Sequence, residues 1–207
     1  MSNPQLSADQ YYELKKKLEE VQRRVAVSGM AKWFQDGPLS IDKYPKHKLF
    51  FGLGNERRER VFLAANRAGK STAGAFEVAC HATGKYPKWW TGRRFDKPVE
   101  IWVAGKDKTT TRDTIQVALL GPLGAPGTGM IPAADIRRTA SMQGVPSGVE
   151  LAWVTHITGG VSTIGFKSYD RGVDSFFGTA RDVVWLDEEC PEDVYGECLL
   201  RTMTTNG

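Results

Sequence analysis

The chain has 207 residues, 41 % of them hydrophobic, which allows a core of ordinary size and sets one domain as the default. Its net charge of +4 arises in residues 1–60, where 12 Lys and Arg stand against 8 Asp and Glu; residues 61–207 hold 16 of each, so nucleic-acid contact would need local patches rather than a global field. Cys80, Cys190 and Cys198 have no metal-ligand spacing with His47, His81 or His156 and point to reduced thiols in a cytoplasm, and without a secretory leader or an apolar run of about 18 residues a soluble chain with no membrane partner is expected.

The first element reads as a helical arm within residues 1–35. Ser7 can cap it, with Gln10 three residues on and Leu6 placed to pack against Tyr11. Tyr11, Leu14, Leu18, Val21 and Val25 then form one apolar stripe ending near Gly29, with Lys15, Lys16, Lys17, Arg23 and Arg24 beside or opposite it. Such an arm either packs on its own domain or docks a partner subunit. Residues 36–60 read as loop-rich and open the second unit, 36–207.

Val61-Phe62-Leu63-Ala64 is a short buried-strand signal. A small-residue turn follows, and Gly69-Lys70-Ser71-Thr72 opens a helical pattern through Ala79. A phosphate-binding loop needs converging backbone N–H groups, a helix N-terminus, a lysine for the β/γ-phosphates and a hydroxyl for Mg²⁺. Gly69, Lys70 and Ser71 meet the last positions of that pattern; Ala64 stands where the first glycine belongs, and Arg67 lies inside the loop. A plain strand–turn–helix with a surface lysine would give the same string.

Residues 83–94 interleave Tyr86, Trp89 and Trp90 with Lys85, Lys88, Arg93 and Arg94, suited either to stacking bases or to covering an edge of the sheet. Val99 to Gly105 reads as the second strand and Thr109 to Leu120 as its helix. Residues 121–148, rich in Gly and Pro, read as a surface excursion. Val149–Thr155 and Val161–Lys167, joined through Gly159-Gly160, predict a hairpin. A short helix over Asp170–Phe177 precedes the apolar run Val183–Leu186, which ends in Asp187-Glu188-Glu189. A helix from Pro191 to Met203 closes the chain. An aspartate at a strand's end can hold Mg²⁺ through water and a neighbouring glutamate can activate the attacking water. An exposed acidic strand end is common by itself, but after a phosphate loop it indicates a nucleotide triphosphatase. The alternation predicts an α/β sheet, mostly parallel, with nucleotide at the strands' C-terminal edge.

Several stretches together resemble a known family: the run from Arg60 to Ser71, Thr83 to Trp90, Trp102 to Gly105, Gly165 to Asp170, and Val184 to Glu189. They are similar to the ATPase lobe of the large terminase subunit, the motor that packages DNA into tailed-bacteriophage heads, over about residues 40–207. The resemblance implies a RecA-like P-loop fold of the additional-strand, catalytic-glutamate type, and a deviant phosphate loop is usual there. It implies a nucleotide site of Asn66, Arg67, Ala68, Gly69, Lys70, Ser71 and Thr72, with Ser71 and Asp187 serving Mg²⁺. Glu188 would orient water, with Glu189 the less apt by position. Tyr44 and His47 occupy the place of an adenine-reading segment that commonly carries glutamine. An arginine would supply transition-state charge, Arg67 in cis or Arg112, Arg171 or Arg201 toward a neighbouring copy. The implied cofactors are ATP and Mg²⁺. The implied partners are double-stranded DNA, the small terminase subunit, the portal protein and further copies in a ring, in the cytoplasm of the phage's host. Large subunits of the family continue into a coupling motif and a nuclease domain, whereas Asn206-Gly207 reads as the turn into the next strand. A helicase-like translocase and a nucleotide-gated assembly module are the alternatives.

Overall fold

The computed structural model describes residues 7–205, apart from the side chains of Ala8 and residues 21–27. The expected contact of Leu6, the side chains of Val21, Arg23, Arg24 and Val25, and the Asn206-Gly207 turn lie outside the described residues. Helix α1 (Ala8–Val27) begins at the reciprocal cap that the sequence predicts. Gln10 N–H donates to Ser7 Oγ at 3.2 Å, and Ser7 N–H donates to Gln10 Oε1 at 3.0 Å. Tyr11, Leu14 and Leu18 remain more than half exposed, so this part of the stripe is not packed on the domain.

After the one-turn helix α2 (Gly29–Lys32), the region read as loop contains helix α3 (Pro45–Leu53). Pro45 sits in its first turn, and its inward face carries His47 and Phe51, four residues apart and both buried. Residues 61–64, expected as the first strand, form no strand. Among the described residues no ladder hydrogen bond joins them to the sheet. Val61 is 76 % and Leu63 87 % exposed, and only Phe62 turns inward, stacked on Phe50 at 4.9 Å. The apolar run supplies strand propensity, but a strand also needs a neighbour to pair with.

Helix α4 (Lys70–Thr83) is the centre of the molecule, buried from Ala75 to Thr83 and ended by Gly84 at φ +69°. Its small residues let it lie on one face of a five-stranded sheet. The strands are β1 (Glu100–Gly105), β2 (Ile136–Ser141), β3 (Val149–Thr155), β4 (Val161–Ser168) and β5 (Val183–Leu186), in the order β2-β3-β4-β1-β5. β1 runs parallel to β4 and β5, whereas β3 runs antiparallel to both β2 and β4. The sheet is therefore mixed, not mostly parallel. The turn at Gly159 and Gly160, both at positive φ, sends the chain straight back, which only an antiparallel pair allows. β2 arises inside the stretch read as a surface excursion; its Arg138 guanidinium lies 3.8 Å from the centre of the Trp153 ring.

The helix expected over 109–120 is present with a π-helical middle: α5 (Lys108–Thr111), residues Arg112–Gln116, then α6 (Val117–Leu120). The short helix after β4 is two 3-10 turns, Tyr169–Arg171 and Val173–Phe176. Helix α7 (Glu192–Thr202) follows β5, with Pro191 at its cap. One core joins α4 to Ile101, Val103, Val154, Ile164 and Phe166; a smaller one on the other face joins Trp102, Tyr169, Phe176, Val194 and Cys198 beneath α7. Trp89 and Trp90 belong to the larger core: Trp89 stacks on Phe76 at 6.0 Å and Trp90 is buried against Phe51, so neither is available to stack a base. The three cysteines are free thiols, and no described helix is long and apolar enough to cross a membrane.

Candidate nucleotide site

The turn before α4 is built for a tight bend. Arg67 has φ +61° and Gly69 φ +84°, the left-handed region, and Ala68 N–H reaches back to Ala65 O at 3.3 Å. The first intrahelical bond is Ala73 N–H to Gly69 O, which leaves the amides of Lys70, Ser71 and Thr72 for another acceptor. A 14-residue helix adds its positive end to those donors. Lys70 folds back over the turn, its Nζ donating to Ala64 O at 2.6 Å and Ala65 O at 3.1 Å. Asn66, Arg67 and Ala68 are exposed; Lys70, Ser71 and Thr72 are half-buried.

β5 delivers Asp187 to the same place. Its backbone N–H continues the ladder to Ala104 O at 2.9 Å, and its carboxylate oxygens lie 3.3 and 3.2 Å from Ser71 Oγ. Gly74 permits this approach, because a Cβ there would stand 2.4 Å from Cε2 of Trp185 on β5. Burial raises the Asp187 pKa above the ordinary carboxylate range, and the neighbouring Glu188 adds to the rise, against the hydrogen bond from Ser71 and the charge of Lys70. A hydroxyl beside a carboxylate is the hard-oxygen pairing that magnesium takes, together with water and phosphate oxygens. Glu188 follows with φ +63°, exposed, as is Glu189.

His47 does not stand free at the rim. It is 7 % exposed, packed edge-on against Phe62 at 4.9 Å and Tyr44 at 5.4 Å, and so close to the turn that a Cβ at Gly69 would stand 3.2 Å from its Nε2. Burial lowers its pKa, with the Gly69 and Ala68 backbone acting in the opposite direction, and the ring lies against the turn. Tyr44 is half-buried in the same aromatic cluster. The structure thus gathers the turn, Lys70, Ser71, Asp187 and His47, with Glu188 next in the chain. Arg112 is tied to Asp113 at 2.7 Å and Arg171 lies 3.9 Å from Glu150. Arg201 pairs with Glu197 at 2.5 Å, and its carbonyl accepts from Arg181 N–H near the opposite end of β5. Sequence reasoning missed two contributors: Gly74, whose role depends on its distance to Trp185, and Tyr169, whose hydroxyl donates toward Asp187 O at 2.9 Å.

Comparison with known proteins fits this geometry. A family model described as terminase large subunit, T4likevirus-type, N-terminal, matches residues 61–207. The large terminase subunit of Salmonella phage P22 is 37 % identical over 179 aligned residues, covering 77 % of this chain and 36 % of that protein. The chain thus spans little more than a third of the relative's length. No solved structure matches the chain. The family match opens at Val61, on the approach to the turn before α4, and runs past Asp187 and Glu188; the chain belongs to the large terminase subunit family.

Proposed function

We propose that this chain is the ATP-hydrolysing lobe of a phage DNA-packaging motor, which drives double-stranded DNA into a procapsid. The observation that carries the reading is the meeting of Ser71, at the start of α4, with Asp187, at the end of β5, beside a helix N-terminus whose first amides are unspent. In this reading Lys70 leaves the carbonyls of Ala64 and Ala65 for the β/γ-phosphates of ATP, and the amides of Lys70, Ser71 and Thr72 hold the phosphate oxygens, with Asn66 to Gly69 forming the bend around them. Ser71 and Asp187 hold Mg²⁺, which when bound neutralises charge on the phosphates. Glu188 accepts the proton of the attacking water, and Arg67 is the arginine placed to act in cis. Tyr44 and His47 are read as the adenine side, with Tyr44, the more exposed of the two, nearer a ligand and His47 packed behind it. The sheet is read as the RecA-like core of the additional-strand type. The partners are duplex DNA, the small terminase subunit, the portal protein and further copies of the chain in a ring.

The test is phosphate release by the chain with ATP and Mg²⁺, with and without duplex DNA. Slow, Mg²⁺-dependent release that Lys70→Ala abolishes is expected. Release that persists undiminished in Lys70→Ala, or none from the wild type, overturns the reading.

A further inference from the structure

β5 pairs with β1 only as far as Leu186 opposite Ala104. The next carbonyl, Asp187 O, therefore has no strand beyond it and precedes the residue that the proposed reaction uses as base. Tyr169 supplies the missing donor. It lies in the 3-10 turn after β4, 8 % exposed, with its ring among Trp102, Ala104, Phe176 and Cys198. Its hydroxyl points between Ala104 O at 3.1 Å and Asp187 O at 2.9 Å, so one proton is shared across the ends of two strands. The peptide it grips leads directly into Glu188, whose φ of +63° non-glycine residues hold only where neighbours impose it.

We infer that Tyr169 is a positioning residue for Glu188: its hydroxyl fixes the Asp187–Glu188 peptide and so aims the Glu188 carboxylate. The ring and the hydroxyl have separable duties. The ring fills the smaller core, and the hydroxyl reaches past it to the strand ends. Tyr169 does not touch the nucleotide; it acts on turnover through the backbone. The inference rests on the ATPase reading, and Tyr169→Phe isolates it because the ring stays in place.

The experiment compares wild type and Tyr169→Phe in ATP turnover and in amide hydrogen exchange over residues 187–189, at a temperature where their circular dichroism coincides. In the variant kcat falls by roughly tenfold with KM for ATP unchanged, as the loss of one aimed hydrogen bond predicts. Exchange at 187–189 becomes several-fold faster. In the Glu188→Gln background the same change leaves residual turnover where it was, because the residue acted upon is already disabled. Equal kcat in the two proteins, a parallel change in KM, or an additive loss in the Glu188→Gln background overturns the inference. If the wild type releases no phosphate, the ATPase reading fails by itself, and the exchange comparison still decides: unchanged exchange refutes the grip on the peptide.

Discussion

Ser71 Oγ lies 3.2 Å from one carboxylate oxygen of Asp187 and 3.3 Å from the other, across 116 residues of sequence. The distance is set by how closely α4 lies on β5, and Gly74 sets that. Gly74→Ala would push a methyl group into the Trp185 ring, a rigid neighbour that cannot swing clear as a lysine tip would. The variant should lose about 1–3 kcal/mol of stability by overpacking. It should also turn over more slowly at limiting Mg²⁺, as Ser71 and Asp187 separate. Chemical denaturation and a Mg²⁺ titration of phosphate release check the two effects; wild-type behaviour in both would mean that α4 has room to shift.

Lys70→Ala should weaken ATP binding by at least about 10- to 100-fold, the loss of a charge-assisted contact. The fold should survive, because the Lys70 side chain bonds the turn carbonyls of Ala64 and Ala65 and no other described residue. Calorimetric titration with a non-hydrolysable ATP analogue, alongside circular dichroism, reads both. Unchanged affinity would remove Lys70 from the site.

Glu188→Gln keeps the shape of the side chain and removes its basicity. ATP should still bind, while turnover falls by about 10²–10⁴, the usual worth of a positioned base. Binding and single-turnover assays on one preparation separate the steps. Loss of binding instead would make Glu188 a ligand for the metal or a support for the strand end.

Arg67 is exposed in the turn and held at φ +61°. If it supplies transition-state charge, Arg67→Ala should lower kcat by about 10³-fold or more. The activity that remains should not depend on protein concentration. Normal turnover in Arg67→Ala would transfer the role to an arginine of a neighbouring copy, and activity per chain would then rise with concentration.

Glu77 links α4 to the segment leading into the turn: Arg60 donates to it at 2.9 Å, and His81 lies 3.5 Å away. Burial acts to raise its pKa, but the His81 hydrogen bond and the Arg60 charge outweigh that and hold it below the ordinary glutamate value. A depressed folded-state value stabilises the fold above the unfolded pKa, and that stability is lost as pH falls through the folded value. Thermal unfolding of the wild type should therefore weaken steeply on the acid side of the ordinary carboxylate range. Glu77→Gln should start lower at neutral pH, with Arg60 deprived of its charge partner, and show a shallower acid decline. Parallel acid limbs in the two proteins would refute the assignment.

Features governed by local chemistry were legible in the sequence. The Ser7–Gln10 cap, the Gly159-Gly160 hairpin, the helix opened by Gly69-Lys70-Ser71 and the strand that ends at Leu186, just before Asp187, all form as residue type and spacing dictate. What depends on partners distant in sequence was not. Residues 61–64 have a strand's composition but no strand neighbour among the described residues, and β2 has exposed arginines yet pairs with β3, where the Trp153 ring covers one of them. His47 reads as a polar residue free to meet a ligand until three aromatic rings enclose it. The duty of Tyr169 exists only where the ends of β1 and β5 come together.

The two sides of the proposed nucleotide site differ in how they are anchored. α4 and β5 are anchored in the cores, while the arm of residues 61–65 is held by the Phe62 ring on Phe50, by Lys70 at the carbonyls of Ala64 and Ala65, and by Arg60 before it, whose guanidinium bonds Phe50 O and Glu77. A ligand that orders this arm spends part of its interaction energy on chain entropy, so equal contacts count for less there than on α4. Any strand that paired with residues 61–64 would supply that order in advance. It would tighten nucleotide binding without touching the nucleotide, and ATP would in turn tighten the hold on that strand by the same factor.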